Sequence, residues 1–236
     1  MSRQHIWDLP TRLFHWLLVI AIITAYVTGQ LGGNLIVWHG RAGLFILGLI
    51  VFRIVWGLIG SPSARFSNFV RGPRAILAYL QGHWQGVGHN PLGALSVIAL
   101  LLLVGAQATT GLFTNDDITF EGPLAGLVSK ETSDSLLGVH VQLQNILIGL
   151  VVLHLLAIVF YALVKRDNLV RPMVTGWRPL APDAAPVSHP PFSAGRSATA
   201  FVIALSVAVL TVLAASGELA NLTGTPAVAA PTTPAW

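Results

Sequence analysis

The sequence predicts an all-α, polytopic membrane fold: a transmembrane four-helix bundle, then a fifth transmembrane helix after a Pro-rich linker. Three observations predict it. Of 236 residues, 54% are hydrophobic and 9% charged, where a soluble domain carries about 25% charged residues. Mean hydropathy is +0.72. Five continuous apolar stretches, 13–29, 38–59, 91–113, 139–164 and 198–215, approach or exceed the roughly 20 helical residues that cross a bilayer. None alternates in the manner of a membrane barrel strand.

The first stretch opens with Asp8 and Pro10, a helix-start signal, and carries His15 and Trp16 where a cleaved leader would be purely apolar. Asn90-Pro91 repeats the start signal before the third. Between the second and third, 73–82 has helical spacing with Ile76, Leu77 and Leu80 on one side, suited to lying on a membrane surface. The segment 176–197 holds five of the 14 prolines and reads as a linker. The chain divides into a four-span unit (1–177), a linker (178–197), and a fifth helix with its tail (198–236).

Charge sets the orientation. The segment before the first span carries Arg3 and Arg12 against Asp8, the loop 60–90 carries Arg65, Arg71 and Arg74 without an acid, and Lys165, Arg166, Arg171, Arg178 and Arg196 follow the fourth span against Asp167 and Asp183. On the opposite side, 30–37 is uncharged, and 114–138 has Asp116, Asp117, Glu121, Glu131 and Asp134 against Lys130. The positive-inside rule then puts the N-terminus in the cytoplasm of a bacterial inner membrane. The formal charge of +4 is not gathered on one patch and gives no reason to expect nucleic acid. An oligomer is compatible with the sequence. The absence of cysteine excludes disulfides, thiolate-bound metals and the C-x-x-C-H attachment of c-type haem.

Four of the eight histidines lie within or at the mouths of spans, where an imidazole is costly without a partner. Span directions put His15 and His154 near the cytoplasmic level, and His39 and His140 near the outer level. His140 and His154 are fourteen residues apart. Fourteen steps of 100° end about 40° short of four turns, so the two share one helix face about 21 Å apart. Depth pairs His39 with His140 and His15 with His154. Two such couples match the axial positions of two six-coordinate, non-covalently held haems b, with these four residues as iron ligands. Haem propionates need cations. Arg41 is two residues from His39, Arg12 is three before His15, and Arg53, fourteen after His39, shares its face at the inner level. Gly43, one turn from His39, would let a porphyrin approach the backbone. Gln107, Thr109, Thr110, Gln142, Gln144 and Asn145 are polar groups in the outer halves of spans three and four, none of them individually assignable to a quinone site. His89 is placed to cap the third span or meet an inner propionate; His5, His83 and His189 are expected in solvent.

Several segments are familiar. Trp7-Asp8-Leu9-Pro10-Thr11-Arg12-Leu13-Phe14-His15-Trp16, Trp38-His39-Gly40-Arg41-Ala42-Gly43, Arg53-Ile54-Val55-Trp56-Gly57, the run from Ala64 to Pro73, His89-Asn90-Pro91, and the His140/His154 pair together resemble the bacterial cytochrome b561 family. That family includes the b-type cytochrome subunits of nickel–iron hydrogenases. The likeness covers about three-quarters of the chain. It implies a four-helix bundle with two b haems on His15, His39, His140 and His154, exchanging electrons with membrane quinone and with a periplasmic redox protein such as a c-type cytochrome. A hydrogenase membrane anchor and a superoxide:quinone oxidoreductase are alternatives within the same chemistry. A histidine-lined metal or proton transporter is the alternative of another class.

Overall fold

The computed structural model describes residues 3–83, 90–179 and 194–223. In chain order these form strand β1 (Arg3–His5), helices α1 (Leu9–Leu31), α2 (Ile36–Ile59), α3 (Phe66–Phe69), α4 (Pro73–Leu80), α5 (Pro91–Gly111), α6 (Lys130–Leu163) and α7 (Val170–Thr175), strand β2 (Trp177–Pro179), and helices α8 (Ala194–Ala215) and α9 (Glu218–Thr223). Among the described residues, five helices are long and apolar enough to cross a membrane: α1, α2, α5, α6 and α8. His89, His189 and residues 180–193 of the 178–197 linker lie outside the described residues, and 194–197 form the first turn of α8.

The starts of the helices follow their caps. Asp8 is extended and accepts the Thr11 N–H at 2.7 Å, with Pro10 in the first turn of α1. Asn90 does the same for α5 through the Gly93 N–H at 2.7 Å. Ser129 caps α6. That helix therefore begins nine residues before the apolar run at 139, and the loop that precedes it is correspondingly shorter. Gly32 ends α1 at φ 61°, in the left-handed region open to glycine, and its N–H bonds Thr28 O at 3.0 Å.

Asp8 also ties two helices together at the end away from His39. Its Oδ2 accepts Trp56 Nε1–H at 3.2 Å and the Ser61 hydroxyl. Trp56 is wholly buried. The antiparallel β1–β2 pair straps the N-terminus to the segment after α6. Arg12 donates to Val174 O at 2.5 Å, and Trp16 Nε1–H donates to Met173 O at 3.2 Å. At the same end, Tyr79 of α4 bonds the Tyr161 hydroxyl, which also receives Asn90 Nδ2–H at 2.6 Å. The short α4 is thereby tied to α5 and α6, with Leu77 and Leu80 left facing outward.

The spans pack as α1 on α2, α2 on α5 and α5 on α6, with no comparable packing between α1 and α6. The bundle is thus loosely closed along that seam. The fifth helix does not stand apart. It packs extensively on α2, burying Ala200, Ala204 and Ala208 one turn apart against a cluster with Ile46, Leu49, Phe52 and Trp56. Small residues at such spacing allow close approach of helix backbones in lipid. Phe201 meets Phe52 and Trp56 edge-on, at ring-centre distances of 5.7 and 6.2 Å. Enclosed between α1, α5 and α8, α2 is the most buried of the five spans.

Ala204 is fully buried, whereas the adjacent Leu205 is 47% exposed. Ala204→Leu overfills this contact and is expected to destabilise the protein by about 1–3 kcal/mol. Leu205→Ala should be near neutral. Thermal unfolding in detergent compares the two; equal stabilities would show that α8 is not held by the alanine stripe.

Candidate cofactor site

At the end of the bundle that the loop charges would place outside, called the outer level, α2 contributes His39 one turn from its start, and α6 contributes His140. Their ring centres are 6.1 Å apart with an interplanar angle of 77°. An imidazole nitrogen binds a first-row transition metal at about 2 Å, so two rings flanking one ion lie about 6.4 Å apart, centre to centre. The observed spacing fits one metal held between them.

The hydrogen bonds select the ring nitrogen that is left over. His39 Nδ1 lies 2.8 Å from Ala25 O on α1, and a carbonyl only accepts, so Nδ1 carries the proton. His140 Nδ1 lies 3.1 Å from the Thr110 hydroxyl, whose own proton is directed to Ala106 O and Gln107 O, both at 3.0 Å. Thr110 therefore accepts from His140. On both rings Nε2 is then the nitrogen that a metal would use, since neutral imidazole binds metal through a lone pair. On His140 that position is taken by the Gln107 Nε2–H at 3.0 Å, which a metal would displace. Among the sequence candidates, Gln107 and Thr110 thus bond His140, and Gln144 lines the same cavity.

Both rings border a largely apolar cavity of 520 Å³ between α1, α2, α5 and α6, within the range of cofactor pockets. Arg41 and Gly43 line it. Around Gly43, a Cβ would meet nothing within 4 Å, whereas at Gly29 it would strike the His39 ring. Gly29 thus gives His39 room, and Gly43 opens the cavity wall. Arg41 also lies over the Trp38 ring at 5.1 Å. Phe120, from the loop after α5, lies edge-on to His39 at 5.9 Å and covers the backbone of Gly40. Sequence reasoning missed this cover, as it missed Ala25 O.

At the opposite, inner level, His15 lies on α1 and His154 on α6. His15 Nδ1 is buried without a hydrogen-bond partner. Arg53 is 3% exposed, with its guanidinium 4.7 Å from the Phe66 ring centre and Nη1 also buried without a partner. Asp8 is its nearby counter-charge. A buried cation with an unused donor is costly unless an anionic group meets it. Arg12, although bonded to Val174 O, keeps a buried Nε without a partner. Residues of this type fit a group with two axial metal positions and carboxylates near the membrane edge. Among the described residues no three His, Cys, Asp or Glu side chains converge.

Of the remaining histidines, His5 packs edge-on against Trp177 at 4.9 Å, and His83 is exposed. Of the five acids between α5 and the apolar part of α6, Glu131 lies in the first turn of α6, and the other four have distinct contacts. Asp116 accepts the N–H groups of Phe120, Thr119 and Ile118 at 2.9, 2.8 and 3.0 Å. These bonds hold its carboxyl well below the usual carboxylate range. Asp117 and Asp134 flank Lys130, and Glu121 lines the cavity.

A family model described as prokaryotic cytochrome b561 matches residues 6–176, the stretch from the start of the chain through α7. A probable Ni/Fe-hydrogenase B-type cytochrome subunit from Azotobacter vinelandii is 26% identical, over 74% of this chain and 88% of that protein. The protein of the same description from Azotobacter chroococcum mcd 1 is 25% identical over the same shares. No solved structure matches the chain. The fifth helix, α8, lies beyond the matched family segment.

The Asp116 cap fixes the loop that carries Phe120. Its folded-state pKa lies below the ordinary value of about 3.9, so its contribution is complete above that pH and is lost as pH falls toward the folded value. Asp116→Ala should speed amide hydrogen exchange at Ile118, Thr119 and Phe120 at neutral pH. The wild type should lose the same protection only below about pH 4, after correction for intrinsic rates. Unchanged protection in the variant would show that the loop is fixed by other contacts.

Proposed function

Because the chain belongs to the prokaryotic cytochrome b561 family, we propose that it is a di-haem b-type cytochrome carrying electrons between quinone and a periplasmic redox protein of the c-type cytochrome class. It is a multi-pass membrane cytochrome b with an electron-transfer role, as the family match and the five apolar helices establish. The observation that carries the finer reading is the His39–His140 couple, with a ring spacing of 6.1 Å. His39 and His140 hold the outer haem, and His15 and His154 hold the inner one. Haem bound in each gap supplies reversible one-electron transfer at a potential set by its surroundings.

The chain's own residues do the rest. Ala25 O and Thr110 orient the two outer imidazoles. Arg41 at the outer level, and Arg53 and Arg12 at the inner level, meet the propionates. Phe120 shields the outer couple from water. The outer loop and the first turns of α6, with five acids against Lys130, attract a partner with lysines around its redox centre. The charge bias of the loops supports a cytoplasmic N-terminus in a bacterial inner membrane. A second reading, the membrane subunit of a nickel–iron hydrogenase, is favoured by the description of the two Azotobacter relatives. Co-purification with a hydrogenase large subunit from native membranes would select it.

A pyridine haemochrome assay on purified protein should give close to two haems b per chain. His154→Ala should bring the ratio to one and leave the outer haem. Two haems retained in that variant would contradict the pairing, and a colourless wild type from iron-replete cells would contradict the cofactor.

A further inference from the structure

Both outer imidazoles are oriented through Nδ1, but by different kinds of acceptor. His39 uses a backbone carbonyl, Ala25 O, at 2.8 Å. His140 uses a side chain, the Thr110 hydroxyl, at 3.1 Å. The inner-level His15 has no hydrogen-bond partner on Nδ1. Thr110 is fixed in its turn: its hydroxyl proton is held by Ala106 O and Gln107 O on its own helix, so its lone pair faces the ring. The neighbouring Gly111 brings α5 close to the same imidazole, since a Cβ there would sit 3.0 Å from His140 Cε1. The α5–α6 contact is thus shaped around one ring in one orientation.

We infer that Thr110 is a positioning residue for His140, which sets the potential of the outer haem by accepting the imidazole N–H. This rests on the assignment of His39 and His140 as the outer ligands. A hydrogen bond accepted from Nδ1–H fixes the tautomer that leaves Nε2 for the metal and makes the imidazole a stronger donor. A stronger donor stabilises the oxidised metal, so Thr110 holds the outer potential down. Removing the hydroxyl removes that effect and leaves the iron ligand in place.

The test compares Thr110→Val with Thr110→Ser in purified, haem-loaded protein, by redox titration of the b-type absorption and by the low-spin ferric electron paramagnetic resonance signals. Thr110→Val should keep two haems, raise one midpoint potential, shift one ferric signal and leave the other haem unchanged. Thr110→Ser should restore both values. If Thr110→Val loses one haem and Thr110→Ser recovers it, the hydroxyl is again shown to position the ligand. Two haems with unaltered potentials and signals in Thr110→Val would overturn the inference while leaving the ligand assignment standing. Loss of one haem in both variants would also overturn it. Failure of the ligand assignment reads out separately, as His140→Ala retaining both haems.

Discussion

An imidazole inside a membrane span has no water to satisfy it, and this constraint organises the whole bundle. Four such rings sit at two depths. One helix, α6, serves both levels, because fourteen residues return nearly to the same face after four turns. That shared face requires α6 to look across the bundle toward α1 and α2 and not to pack on them. The packing accordingly runs from α1 through α2 and α5 to α6 and leaves the α1–α6 seam without close helix contact. Each level then acquires its own polar surroundings. Hydroxyl, carbonyl and carboxamide groups surround the outer couple, and a buried guanidinium beside Asp8 accompanies the inner one.

Placing two rings to within a fraction of an ångström demands that their helices not drift. The helix α2 bears His39 at one end and Arg53 toward the other, and it is the most enclosed. The extra helix α8 covers the side of α2 turned away from the seam, with alanines at its contact face and Phe201 wedged beside Phe52 and Trp56. At the far end, Asp8 caps α1 and holds Trp56 and Ser61. A helix beyond the family segment therefore braces the element on which both levels depend.

Much of this was legible in the sequence for specific reasons. Apolar length reported the spans, Asp8 and Asn90 reported the helix starts, and the fourteen-residue interval reported two depths on one face. Arg53 stood out as a cation at that same interval from His39. Other features carried no comparable signal. Ala25 acts through its carbonyl, which every residue has. Thr110 and Gln107 were two of six polar groups in the outer halves of their spans, and only the rotation of α5 against α6 distinguishes them. The α8 alanines read as ordinary composition until they meet α2. The first turns of α6 are polar, so hydropathy placed its start late, although Ser129 is an ordinary capping residue. Phe120 reaches His39 only because Asp116 folds the loop back, a contact made by side chain to backbone across four residues.

The claim on which the account rests is that iron lies between two named imidazole couples, one toward each leaflet. Locating iron by anomalous scattering in crystals of the haem-loaded protein addresses it most directly. Two peaks are expected, one between His39 and His140 and one between His15 and His154, separated by about 21 Å along the bundle axis. A single peak, or a peak lying beside neither couple, would contradict it.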